Sequence, residues 1–132
     1  LAFPDEAVPG LPRHALVAWN GSREASRAVR DAVPLVSGAS RVDVVSVDSP
    51  GGRSADTYLG RALAHSDVSI RIRELSSRGA DPGTVLMDEA KRLKADLLVM
   101  GAYGHSRARQ WILGGVTERI LKECKIPFLL SH

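Results

Sequence analysis

The chain has 132 residues, enough for one core of ordinary size. Apolar residues make up 44% and charged residues 25%, which excludes wholesale disorder. No apolar run reaches the roughly 20 residues of a bilayer span, which excludes a membrane anchor, and a net charge of +3 is too weak to argue for a nucleic-acid partner.

Aromatic residues are only 5%, so the core must be built from Ala, Val, Leu and Ile. Such side chains suit helices layered on a sheet. The single cysteine, Cys124, excludes an internal disulfide, and no Cys/His spacing fits zinc. A reducing, cytoplasmic setting is the expectation, with no metal site. The first residues carry Pro4 and the acidic Asp5 and Glu6 and lack the apolar stretch of a secretory signal.

Residues 1–12 hold Pro4, Pro9 and Pro12 and read as an extended lead-in or linker, leaving 13–132 as the domain. His14 to Trp19 is an apolar run expected to be a buried strand. Asn20-Gly21-Ser22 turns the chain, with Ser22 as N-cap and Glu24 in the first turn. Ala25, Ala28, Val29, Ala32 and Val36 then fall on one helical face. Pro34 falls in the last turn of this helix and Gly38 offers its stop. Val42, Val44, Val45 and Val47 predict a second strand, and Ser54 to Ala64 a weaker helix. Val68, Ile70 and Ile72 alternate with Ser69, Arg71 and Arg73, so this strand is wet on one face and belongs at an edge, its arginines toward water. Asp81-Pro82 caps a helix carried inward by Leu86, Ala90 and Leu93. Leu97 to Met100 predicts a central strand, Val116, Ile120, Leu121 and Cys124 one face of a helix, and Ile126 to Leu130 a last strand.

The order βαβαβαβαβ implies an α/β fold with a mostly parallel sheet, helices on both faces and right-handed crossovers. Ligands of such sheets sit beyond the carboxyl ends of the strands, where the winding direction reverses. If the first and fourth strands are neighbours, that point lies between Trp19-Asn20 and Met100-Gly101.

The chain there is rich in glycine. Gly101 and Gly104 follow a buried strand, and Gly114 and Gly115 open a helix, whose free amides and dipole favour an anion. His105, Arg107 and Arg109 add positive charge to the same loop. The stretch is neither a P-loop nor a G-x-G-x-x-G fingerprint, and a role as mere turns and a helix start stands beside the anion reading.

These residues carry a resemblance. G-x2-G-x9-G at Gly101, Gly104 and Gly114, followed by Val116-Thr117-Glu118-Arg119 and by Lys125 to Leu130, resembles the universal stress protein family. Leu16 to Ser22 is similar to the family's first strand and turn, and Ala95 to Gly101 to its fourth strand; the match runs over residues 13–131. The resemblance implies a three-layer, Rossmann-like domain with a five-stranded parallel sheet of order 3-2-1-4-5. It also implies a pocket for ATP or a related adenine nucleotide, with or without Mg. Carried over by position, the pocket would use Ala18, Asn20, Val47, Met100, Gly101, Gly104, His105, Arg107, Gly114, Gly115, Val116 and Thr117.

Two positions depart from the family pattern. Gly115 stands where Ser or Thr is usual, and the missing hydroxyl removes a bond to a charged phosphate worth roughly 1.5–3 kcal/mol. Asn20 stands where Asp is usual, which removes a charge and adds a donor. Trp19 beside it is larger than the family's small residue; it fills space near the pocket or packs under a helix. The family also pairs through its last strand, which makes Ile126 to Ser131 the expected edge of a homodimer or of a tandem-domain pair. Leu1 to Pro4 reads as the tail of a preceding domain or as an ordinary terminus.

Other residues have plainer readings. Cys124 reads as a small buried hydrophobe. His14, His65 and His132 have no partners at ligand spacing. Asp43 and Asp48 flank the second strand, and Asp48 is placed to reach a ribose or bind magnesium indirectly. Tyr103 suits stacking on a base or covering its own loop. No constellation for nucleophilic catalysis is present in the sequence, and none is assigned. Three functions follow: a nucleotide-responsive stress module, a nucleotide-free interaction module of the same fold, and an ATPase, for which no base is evident.

Overall fold

A computed structural model describes residues 11–48, 52–64, 66–101 and 115–131. Strand β1 spans His14–Ala18, β2 Arg41–Val47, β3 Ser69–Leu75, β4 Leu97–Gly101 and β5 Phe128–Ser131. Helix α1 spans Arg23–Val36, α2 Gly52–Ala62, α3 Pro82–Leu93 and α4 Gly115–Glu123. All strand pairs are parallel, in the order β3-β2-β1-β4-β5. This is the three-layer α/β arrangement expected, with the apolar β1 and β4 inside and the alternating β3 at an edge.

The helices form because each lays an apolar stripe on one sheet face. On α1 the stripe Ala25, Ala28, Val29, Ala32 and Val36 is buried as the 3.6-residue period requires. Ser22 Oγ accepts from the Ala25 N–H at 3.1 Å, closing the open helix start. The helix runs through Pro34 and ends at Ser37, one residue before Gly38. Asp81 caps α3 through the Thr84 N–H at 3.0 Å, and Pro82 follows where its missing N–H costs nothing. Lys94 ends α3 in the left-handed conformation, φ 56°.

Two cores result. With α1 and α2 pack Ala15, Val17, Trp19, Val42, Val44 and Val99 of the sheet. With α3 and α4 pack Leu16, Ala18, Val45, Val47, Leu98 and Met100. Each fully buried Val, Leu or Ile contributes about 1.5–3 kcal/mol of transfer free energy. Trp19 settles under α2: its ring lies 5.8 Å from that of Tyr58, tilted by 36°. The winding reverses between β1 and β4. The helices after β1 and β2 cover one face, and those after β3 and β4 the other.

Strand and helix ends differ slightly from expectation. Helix α2 starts at Gly52 rather than Ser54, and β5 at Phe128 rather than Ile126. Pro127 has no N–H to donate to a ladder, so pairing begins after it. None of the described helices is long and apolar enough to cross a membrane.

Candidate functional site

The carboxyl rim at the β1/β4 reversal is built from strand ends. Four of the expected site residues, Ala18, Val47, Met100 and Val116, join one apolar cluster under this rim, all nearly or fully buried. They form its floor rather than polar contacts. Register supplies the polar groups. Ala18 of β1 pairs with Val45 of β2, and the Trp19 N–H donates to the Val45 carbonyl at 2.9 Å, the last bond of that ladder. β2 continues two residues further, paired only with β3. The two-residue period turns the Val47 peptide the same way as that of Val45, toward the space that β1 has left.

Asn20 continues from β1 and makes a local turn. Its Oδ1 accepts from the Ser22 N–H at 3.0 Å, and its amide N makes no bond among the described residues. A donor is therefore left at the position where the sequence suggested one. Gly101, at the end of β4, has a steric reason to be glycine. A Cβ there would come within 2.6 Å of the Ala25 backbone nitrogen and the Glu24 carbonyl carbon. The first turn of α1 packs against the β4 backbone, and only glycine allows this approach.

Helix α4 opens at Gly115, with Val116 and Thr117 in its first turn. Thr117 is fully buried, and its Oγ1 has no hydrogen-bond partner among the described residues. A buried hydroxyl without a partner is uncommon and costs about 1–3 kcal/mol. Gly104, His105, Arg107 and Gly114, with Arg109 and Tyr103, lie outside the described residues, as do the lead-in residues 1–10, His65 and His132.

Asp48 adopts a left-handed backbone, φ 55°, just past β2. Its carboxylate accepts from the Ser77 N–H at 2.9 Å and from the Ser77 hydroxyl, which holds its pKa below the usual carboxylate range. Both oxygens are thus spent in tying the end of β2 to the segment after β3.

Sequence reasoning missed a charge network at the other end of the sheet. Asp43 points into the α3/α4 face and is wholly buried. It accepts from Arg41 at 3.0 Å and contacts His14 Nε2, with Arg73 at 4.0 Å. Arg73 also reaches Glu89 of α3, which Arg92 holds from the same helix. Arg73 is therefore half-exposed and paired rather than simply facing water as its place beside Arg71 on the polar face of β3 suggested, and His14 is paired as well. Burial raises the pKa of Asp43, but the bonds and charges of Arg41 and His14 outweigh it, and the carboxyl titrates below its ordinary value. Glu89 is held low chiefly by its bond from Arg92, then against burial by the charge and bond of Arg73. The one signal in the sequence is an aspartate inside a run of valines, Val42-Asp43-Val44-Val45.

Cys124 is half-buried, packed against the α3/α4 core, with its thiol 3.4 Å from the Ile126 carbonyl. Burial pushes its pKa up, so the thiol stays neutral, as the small-hydrophobe reading requires.

Comparison with known proteins agrees with the fold. The chain is 50% identical to a universal stress protein of Synechocystis over 34 residues, 26% of this chain and 12% of that one. It is 37% identical to a universal stress protein of Methanocaldococcus jannaschii over 49 residues, 37% of this chain and 29% of that one. The aligned stretches thus span less than a third of either relative. Among solved structures, a universal stress protein in complex with cAMP superposes with a TM-score of 0.67 at 25% identity, over 93% of this chain and 99% of that one. A Mycobacterium tuberculosis protein superposes with a TM-score of 0.61 at 25% identity, over 95% and 98% of the two chains. Residues 12–132 match the profile of the universal stress protein family, and the chain belongs to that family.

Proposed function

We propose that the carboxyl rim at the β1/β4 reversal takes an adenine nucleotide, ATP or a relative such as cAMP, and that the chain acts as a binding module of a stress response rather than as an enzyme. The observation that carries this reading is the polar equipment of the rim. The Val47 peptide is turned toward the space beyond β1, and among the described residues the Asn20 amide is unspent and the buried Thr117 hydroxyl has no partner. All three belong to segments at the carboxyl side of the sheet, where open α/β sheets bind ligands. The similar structure that holds cAMP supports the choice of an adenine nucleotide.

Each residue has a role in this reading. The Asn20 amide and the Val47 main chain meet the nucleoside. The first amides of α4, from Gly115 onward, face the phosphate with the helix dipole behind them. Thr117 donates its hydroxyl once a ligand oxygen enters. Nothing in this scheme requires a general base.

Calorimetry with ATP and with cAMP, each with and without magnesium, tests the reading. Saturable heat with one of them is expected, weakened about 5- to 30-fold by Asn20→Ala, as for one lost hydrogen bond of about 1–2 kcal/mol. Absence of heat and of any thermal shift at millimolar nucleotide overturns it.

A second reading keeps the fold without the nucleotide and acts through pairing. β5 is an edge strand with Phe128 and Leu129 buried and Leu130 half-exposed, and no strand among the described residues pairs its outer side. A symmetric dimer through that edge would cover it. Denaturing the purified protein and finding an adenylate released at near one per chain counts against this second reading.

A further inference from the structure

A cavity of about 530 Å³ opens at the pole opposite the carboxyl rim, where α3 and α4 end beside the start of β4. Its size is that of an ordinary small-molecule site. The floor is apolar, formed by Ala90, Ala95, Leu98 and Ile126. Lys91, Lys94 and Lys125, three of the chain's four lysines, line it as well, all exposed to solvent.

The charges around it are unevenly paired. None of these three lysines forms an ion pair among the described residues, whereas the fourth, Lys122, is held by Glu118. Of the two carboxylates at the cavity, Glu123 is engaged by Arg119, and Asp88 forms no ion pair among the described residues. Lysines near a helix C-terminus also offset its dipole. That explains why they sit at these helix ends but not why an apolar hollow is left between them.

We propose that this cavity binds an amphiphilic carboxylate, an aliphatic chain of about eight carbons ending in one negative charge. The chain would lie on Ala90, Ala95, Leu98 and Ile126, and the carboxylate among the three lysines. The neutral thiol of Cys124 forms part of the wall and reports on occupancy. The inference is independent of the nucleotide reading, since it uses the other end of the sheet.

Calorimetric titration with octanoate, and with octanol as its uncharged counterpart, tests it. Octanoate is expected to bind saturably and about ten-fold tighter than octanol, as three exposed charge contacts would give. It is also expected to slow alkylation of Cys124 by iodoacetamide several-fold. Joint replacement Lys91→Gln, Lys94→Gln and Lys125→Gln should abolish the preference while leaving octanol binding and the circular dichroism spectrum unchanged. Ala95→Leu, which fills the floor, should weaken both ligands. The proposal is overturned by an absence of saturable octanoate binding, by a preference that survives the lysine replacements, or by affinity unchanged in Ala95→Leu.

Discussion

Asp43 and Val44 are neighbours in β2, yet their side chains leave the sheet on opposite faces into unlike surroundings. Val44 enters the core under α1 and α2, where the sheet presents alanines, valines and Trp19. Asp43 enters the face under α3 and α4, where Arg41, Arg73, Glu89 and Arg92 form a chain of charges beside an otherwise apolar core and His14 bonds to Asp43. The first face is held mainly by burial, which is non-directional and insensitive to pH, with a side-chain bond from Ser131 Oγ to Asp31 at 2.9 Å joining β5 to α1. The second is held partly by charges that must remain paired, because an unpaired ion left inside costs several kcal/mol.

Removing one partner on each face measures the difference. Asp43→Ala leaves the partly exposed Arg41 and His14 without their buried partner and should cost about 3 kcal/mol in urea unfolding, the low end for breaking a buried pair because both can still reach water. Val44→Ala removes two buried carbons and leaves a small cavity, for about 2 kcal/mol. Equal losses would show that the charged face is held no differently from the apolar one.

Acid separates the faces further. The carboxyls of Asp43 and Glu89 titrate lower in the folded chain than in the unfolded one. Their contribution is therefore complete above the unfolded carboxylate range near pH 4 and is lost as pH falls through the folded values. Stability should fall below about pH 4.5 in the native chain and in Val44→Ala alike. The fall should be shallower in Asp43→Asn, measured by thermal unfolding from pH 7 to 3. It should not vanish, because Asp48 and Glu118 are also held low, by Ser77 and by Lys122. An unchanged acid slope in Asp43→Asn would remove Asp43 from the account.

The apolar face was almost wholly legible in the sequence, and the charged face was not, for a physical reason. Periodicity reports burial, and the valine and alanine runs of β1, β2, β4 and α1 carry it plainly. Pairing of charges depends on register, which no local pattern encodes. Parallel pairing sets Arg73 level with Val45 and brings it near Asp43, 30 positions earlier, while Glu89 arrives from a helix. From its own strand, Arg73 looks like Arg71, which is exposed. The same limit applies at the candidate site. The apolar ends Ala18, Val47 and Met100 could be read from their runs, and the glycine at 101 from its spacing. Its steric cause, the backbone of α1 at Glu24 and Ala25, lies 76 or more positions away in the chain.

The two faces also differ in how their helices begin, and this carries the smallest expected effect. Ser22 caps α1 with one neutral bond to the Ala25 N–H. Asp81 caps α3 through the Thr84 N–H and also meets Arg119 Nε of α4 at 2.9 Å, so one carboxylate starts one helix and fastens the next. Ser22→Ala should cost about 1 kcal/mol, independent of salt. Asp81→Ala should cost a similar cap energy plus a further contribution of at most about 1 kcal/mol from the partly exposed pair. The Asp81→Ala loss should shrink between low and high salt, because added ions screen both the exposed Asp81–Arg119 attraction and the carboxylate's interaction with the helix dipole, whereas the neutral Ser22 cap is untouched. A salt-dependent loss in Ser22→Ala, or a salt-independent one in Asp81→Ala, would place the electrostatic fastening on the wrong face.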